Sequence, residues 1–221
     1  MKKMICALSI LGVFVLMTPY LSSAEEGEII KLPPAQMDGG MPLMKALKLR
    51  KSTRGGFGPD TKLSMQQMSN MLWAADGVNR DGGYRTAPTA ANWNNIDIYV
   101  TTADGYYLYD PIAHALKVLG KEDIRSVSGS QPFVNQAPVN LIYVADFERA
   151  VFGGQRMKDV EEAWSYANTG FIAQNVYLWC ASENLACIVR AMADAEAIAK
   201  TLKLGPEQKF ILAHTIAHFK E

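Results

Sequence analysis

The 221 residues offer few starting points for a chemistry. There are three cysteines and three histidines, and they do not group into a metal-ligand set. There is no glycine-rich dinucleotide loop and no nucleophile elbow. The formal net charge is zero, whereas a nucleic-acid binder normally carries a basic excess on one face. No internal repeat and no long linker divides the chain, so the length fits one domain with a sizeable core.

The first 24 residues read as a signal peptide. Lys2 and Lys3 form a positive n-region, Ile5 to Met17 an apolar core, and Ser22-Ser23-Ala24 a small-residue cleavage site. The apolar run is broken by Thr18 and Pro19, short of the roughly 20 residues that span a bilayer. The alternative is an uncleaved anchor. Export predicts a periplasmic or extracellular protein with no stable membrane span after cleavage. Removal of the leader takes two lysines and no acid, which leaves a net charge of −2. Cys180 and Cys187 remain, expected as separately buried thiols, with a disulfide as the alternative in an oxidising compartment.

Residues 25–41 read as an exposed N-terminal arm and 42–221 as the domain. A short helix starts at Pro42 and runs to about Arg50. A glycine-rich loop follows at 55–59. Ser64 and Gln67 form a capping box for a helix ended by Gly77, with Met65, Met68 and Leu72 on its core face. Residues 95–102 alternate as a strand, and Asp104-Gly105 turns into a second strand over 106–109. Residues 111–119 read as a short turn or helix, 121–137 as two short helices broken near Pro132, and 139–145 as a buried strand. The longest helix covers 160–184. Ala163, Ala167, Phe171, Leu178 and Ala181 form one apolar face, and Ile172, Val176 and Trp179 another. So much apolar girth predicts a central helix or a subunit interface. A strand at 186–192 and a last strand or extended tail at 210–219 flank a helix capped by Asp194. The expectation is an α+β domain: a mixed, mainly antiparallel sheet of four or five strands flanked by helices around a long buried central helix.

Two polar signatures carry the chemistry. In an extended segment, Arg50, Ser52 and Arg54 point to one side, and Lys51 and Thr53 to the other. Two guanidinium groups and a hydroxyl then face one ligand, and arginine suits a phosphate because its fork binds two oxygens. Taken alone, this pentapeptide reads rather as a solvated basic turn. The second signature is Pro88-Thr89-Ala90-Ala91-Asn92, just before a strand. His214 and His218 stand four apart in a strand and do not suggest a shared metal. His114 reads as a surface residue, and Tyr84 and Trp93 as packing or substrate-stacking aromatics.

Together these segments resemble the flavin-dependent nitroreductase superfamily. Its members carry Arg-x-Ser-x-Arg/Lys after the first helix and Pro-Ser-x-x-Asn entering the first strand. Here Thr89 replaces the serine and keeps the hydroxyl. Leu72-Trp73-Ala74-Ala75-Asp76-Gly77-Val78-Asn79 is similar to a run in the branch that includes the peptide thiazoline and oxazoline dehydrogenases, and Gly170 and Gln174-Asn175 match in position. The resemblance implies an FMN-dependent oxidoreductase whose flavin N5 exchanges a hydride with a small substrate of nitro, quinone or azoline type. It implies a homodimer with its sites at the interface and an unidentified electron donor. Arg50 and Ser52 would hold the phosphate end, and Arg54 the N1–O2 edge that gains charge on reduction. Pro88, Thr89, Ala90 and Asn92 would line the ring from the other subunit. No acid–base residue is required, so no catalytic side chain is named.

Two segments depart from the pattern. Members often have Gly-Leu-Gly after the long helix, where this chain has Asn184-Leu185-Ala186-Cys187, and Ala186 adds a methyl group beside the ring. Members also end near a Gly-Tyr-Pro with a basic residue for the phosphate, which leaves Lys220, or a protonated His218, for that charge. These departures keep open a second reading, a non-catalytic relative that binds flavin or another small anion without turnover.

Overall fold

A computed structural model describes residues 26–58 and 61–220. The 1–24 leader lies outside the described residues. The backbone is built on a seven-stranded sheet in the order β1-β6-β5-β4-β7-β11-β10. These strands are β1 (Ile29–Lys31), β4 (Ile96–Thr102), β5 (Gly105–Asp110), β6 (Ala115–Gly120), β7 (Val139–Asp146), β10 (Leu185–Arg190) and β11 (Gln208–His218). Every pairing in this sheet is antiparallel. Two small hairpins, β2–β3 (Val78–Arg80 with Tyr84–Arg85) and β8–β9 (Val151–Phe152 with Gln155–Arg156), project from it. Four helices cover the sheet: α1 (Leu43–Leu49), α2 (Met65–Asp76), α3 (Glu161–Ser182) and α4 (Ala195–Thr201).

Strand alternation divides the core into two layers. Along β7, Leu141, Tyr143 and Ala145 pack with Met68, Met71 and Leu72 of α2 and with Ile172 and Val176 of α3. Ile142 and Val144 face the other way, toward Ile198 and Leu202 around α4. The Ser64–Gln67 capping box is formed in both directions, and Met68 and Leu72 are core residues.

The sheet is wider than the four or five strands expected, for two reasons. Residues 115–120, within the segment read as a turn or helix, form β6, paired with β5 through Leu108 and Lys117. A short apolar run does not distinguish strand from helix by its period. What decides here is the open edge of β5. The segment read as an exposed arm also contributes β1, which pairs with β6 through Ile30 and Leu116, and buries Leu32. The stretch 121–137 holds two short 3-10 turns, Arg125–Ser128 and Pro132–Val134.

The long helix is buried on one side only. Ile172, Ala173, Val176, Tyr177 and Cys180 face the core, while Ala163, Ala167, Gly170, Phe171 and Gln174 are exposed. Beside this stripe, Leu43, Met44, Leu47 and Leu49 of α1 are exposed as well. Apolar residues so aligned on adjacent helices form an uncovered apolar face.

Candidate flavin site

The clamp segment leaves α1 at Arg50 and is tied to the sheet by backbone bonds. Thr53 N–H donates to the Cys187 carbonyl, Gly58 N–H to that of His218, and Lys220 N–H to that of Gly56. A β-bridge joins Phe57 to Phe219. Only glycine fits at position 58, because a Cβ there would lie 2.7 Å from the Phe219 carbonyl oxygen. The segment therefore lies beside the ends of β10 and β11.

A cleft of about 150 Å³ opens at this junction, lined among others by Leu49, Lys51, Tyr177, Leu185, Cys187 and Phe219. The Arg50 guanidinium lies over the Tyr177 ring at 5.1 Å, and Ser52 Oγ is 2.8 Å from Tyr177 Oη. Lys51 lies in the cleft wall with Nζ over the Phe219 ring at 5.1 Å, although alternation predicts that it faces away. Thr53 is buried, not turned outward, and its hydroxyl has no hydrogen-bond partner. The segment is not a regular strand, so neighbouring side chains reach the same cleft. Arg54 and Lys220 are exposed and outside the cleft lining.

The cleft wall is mostly apolar, with a cation at its rim, which suits a flat ring carrying a charged tail. The methyl group of Ala186 does not obstruct it. That side chain packs with Phe57, Ala137 and Ala217 on the far face of the sheet, while its neighbours Leu185 and Cys187 line the cleft. Cys180 and Cys187 are free, buried thiols. They are not joined in a disulfide, and burial, then the neighbouring Cys187 side chain, pushes the Cys180 thiol up. Beneath Tyr177, the His214 ring sits 4.7 Å away, fully buried. Burial, then the Arg190 charge, lowers the His214 pKa to about 3, so its ring is neutral. His114, read as a surface residue, is instead half-buried and bonded to Ser69 and Tyr109.

The second signature forms a tight turn at the other end of α3. Ala91, Asn92 and Asn94 all adopt left-handed backbone, uncommon for residues with a side chain. Ala90 N–H donates to Asn168 Oδ1 at 2.9 Å, and the Asn168 amide donates to Asn95 Oδ1 at 3.1 Å. Asn95 donates to Ser165. Thr89 Oγ1 accepts from Asn94 N–H, so its hydroxyl shapes the turn. Pro88 and Asn92 are exposed, and Thr89 and Ala90 half-buried. Trp93 is buried and stacks on Trp164 at 5.2 Å. Asn168 and Tyr177, the principal supports missed in the sequence, are single polar residues inside an apolar helix with no local pattern to mark them.

Comparison with known proteins decides the family. The nitroreductase family pattern matches residues 47–218. The chain belongs to the nitroreductase family. A nitroreductase-like protein of Methanocaldococcus jannaschii is 32% identical over 155 residues, which is 64% of this chain and 75% of that one. A crystal structure of a nitroreductase-like protein from Ralstonia eutropha superposes with a TM-score of 0.81 at 40% identity, over 90% of this chain and 93% of that one. Another, from Desulfovibrio desulfuricans and crystallised with FMN, shares the fold at a TM-score of 0.58 and 20% identity, over 83% and 89% of the two chains. This nitroreductase is accordingly an FMN-dependent oxidoreductase.

Proposed function

We propose that the chain is an exported homodimeric nitroreductase whose two flavin sites each combine the clamp of one copy with the 88–92 turn of the other. The carrying observation is the separation of the two halves. The turn is held by Asn168 and the clamp by Tyr177. Nine helical residues are two and a half turns, about 13.5 Å along α3 and half a revolution around it. None of residues 88–92 lines the cleft, so one chain alone does not enclose a ring with both. A cleft of about 150 Å³ is also smaller than the roughly 300–1,000 Å³ of a complete small-molecule pocket. The exposed apolar face of α1 and α3 supplies the surface on which a second copy docks.

In this reading Arg50, Lys51 and Ser52 bind the phosphate end, with Lys51 in the role first given to Lys220. Leu185, Cys187 and Phe219 bound the ring, Arg54 neutralises its N1–O2 edge, and the partner's turn closes the site against water. Bound FMN supplies the two-electron chemistry through N5. Substrates are small nitro, quinone or azoline compounds. Export rests on the 1–24 segment. An unfolded chain crosses the membrane without its cofactor, so flavin is captured afterwards and the electron donor is one available outside the cytoplasm.

The deciding experiment reconstitutes the full chain with FMN, measures its mass by light scattering, and records the visible spectrum before and after dithionite and NAD(P)H. A dimer with bound flavin that reoxidises onto a quinone or nitroarene supports the reading; a flavin-free monomer overturns it. Bound flavin that returns electrons to no acceptor favours the binding-module alternative, which is motivated by the departures from the family pattern at 184–187 and 217–220. Cell fractionation tests export, and a protein confined to the cytoplasm removes it.

A further inference from the structure

Tyr177 has contacts that packing alone does not require. The Val189 backbone N–H donates to its hydroxyl oxygen at 2.9 Å, so the oxygen is an acceptor there. The hydroxyl proton then needs an acceptor of its own, and Ser52 Oγ stands 2.8 Å away. With Oγ accepting from tyrosine, the serine proton is left to point outward. The three groups line up as Val189 N–H to Tyr177 O–H to Ser52 O–H, a chain in which each bond polarises the next. The face of the same ring carries Arg50 at 5.1 Å, a cation–aromatic contact that holds the guanidinium beside the serine. The ring is locked from below by His214 and lies in the cleft wall.

We propose that Tyr177 is the positioning residue of the clamp: its hydroxyl turns Ser52 into a donor and its ring holds Arg50, so that the pair recognises a phosphate dianion. This rests on the flavin reading above and deepens it, because it says how FMN is told from riboflavin, which has the same ring and no phosphate. A residue that only packs supports both ligands alike. A residue that orients the clamp supports FMN alone.

The test measures binding of FMN and of riboflavin to the full chain by flavin fluorescence. The unmodified chain prefers FMN. Tyr177→Phe keeps the ring and removes the relay. It lowers FMN affinity about fivefold to tenfold, the effect of one charge-assisted hydrogen bond, and leaves riboflavin affinity in place, while the Val189 N–H that loses its acceptor lowers the melting midpoint. Ser52→Ala cuts the relay at its other end and produces the same loss, which also serves if Tyr177→Phe does not fold. The double variant loses no more than either single one, as coupled partners require. An unchanged FMN-to-riboflavin ratio in these variants, equal losses for both ligands, or additive losses in the double variant overturns the assignment. No preference for FMN in the unmodified chain instead overturns the phosphate reading of the cleft itself.

Discussion

The two ends of α3 support the two halves of the site by different physics. At the turn end, the contacts are buried and neutral. Asn168 and Asn95 are almost fully enclosed, and their amides bond each other, Ala90 and Ser165. At the clamp end, the working groups are cationic and at least partly open to solvent, and the enclosed parts lie one layer below, in Tyr177 and His214. A shape that must be held against strain is built from satisfied buried hydrogen bonds, since each is costly to lose. A charge that must meet a ligand stays at the surface, where desolvation does not penalise it. Perturbing the two ends should therefore give different signatures.

The largest effect is expected below the clamp, from acid. His214 has a pKa of about 3 in the folded chain, first because it is buried and second because Arg190 is near. An unfolded histidine titrates near 6.5. The unfolded chain thus binds a proton that the folded chain refuses between these values. The contribution is complete above about pH 6.5 and is lost as the pH falls toward 3, up to about 5 kcal/mol in all. Urea unfolding followed from pH 7 to pH 4 should show it, and His214→Gln should flatten that part of the profile. An unaltered slope in the variant would place the acid sensitivity elsewhere.

Next comes the turn. Asn168→Ala leaves the half-buried Ala90 N–H without its acceptor and the buried Asn95 Oδ1 without its donor. The expected cost is about 2–4 kcal/mol, read as a lower denaturation midpoint. Arg50→Ala at the other end does the reverse. It lowers FMN affinity about tenfold at low salt, less at high salt, and changes stability by under about 0.5 kcal/mol. Equal stability losses in the two variants would erase the distinction between the ends.

How much of this was legible beforehand follows the same division. Residues that act through local patterns were readable. The Ser64–Gln67 capping box, the Met68–Leu72 face and the strand at 96–102 are each written in contiguous spacing. The clamp was half readable. Arg50 and Ser52 do meet at one aromatic ring, but Lys51 reaches the cleft because no regular strand enforces alternation there. What depends on distant partners was not readable. The strand at 115–120 needs the open edge of β5, Ile29–Lys31 needs that strand in turn, and Tyr177 and Asn168 gain their roles from residues more than 70 positions away. The Ala186 methyl looked like an obstruction in sequence. The face of β10 on which it falls decided otherwise.

The smallest expected effect is the sharpest probe of the turn. Ala91 sits at φ 47° and ψ 26°, left-handed backbone that costs an alanine about 1–2 kcal/mol. Its exposed side chain contributes little packing to offset that. Glycine adopts the same angles freely but loses roughly 0.5–1 kcal/mol of additional chain entropy on folding. The balance predicts that Ala91→Gly stabilises the chain by about 0.5 kcal/mol, a small rise in midpoint with no change in denaturant slope. If the buried amides at Asn168 are what hold the strain, that gain should shrink in an Asn168→Ala background, because the turn there is free to relax out of the left-handed region and alanine no longer carries the penalty. Identical gains in both backgrounds would mean that the left-handed turn holds itself, and that the amide network at this end of α3 supports packing and not the shape presented to the flavin.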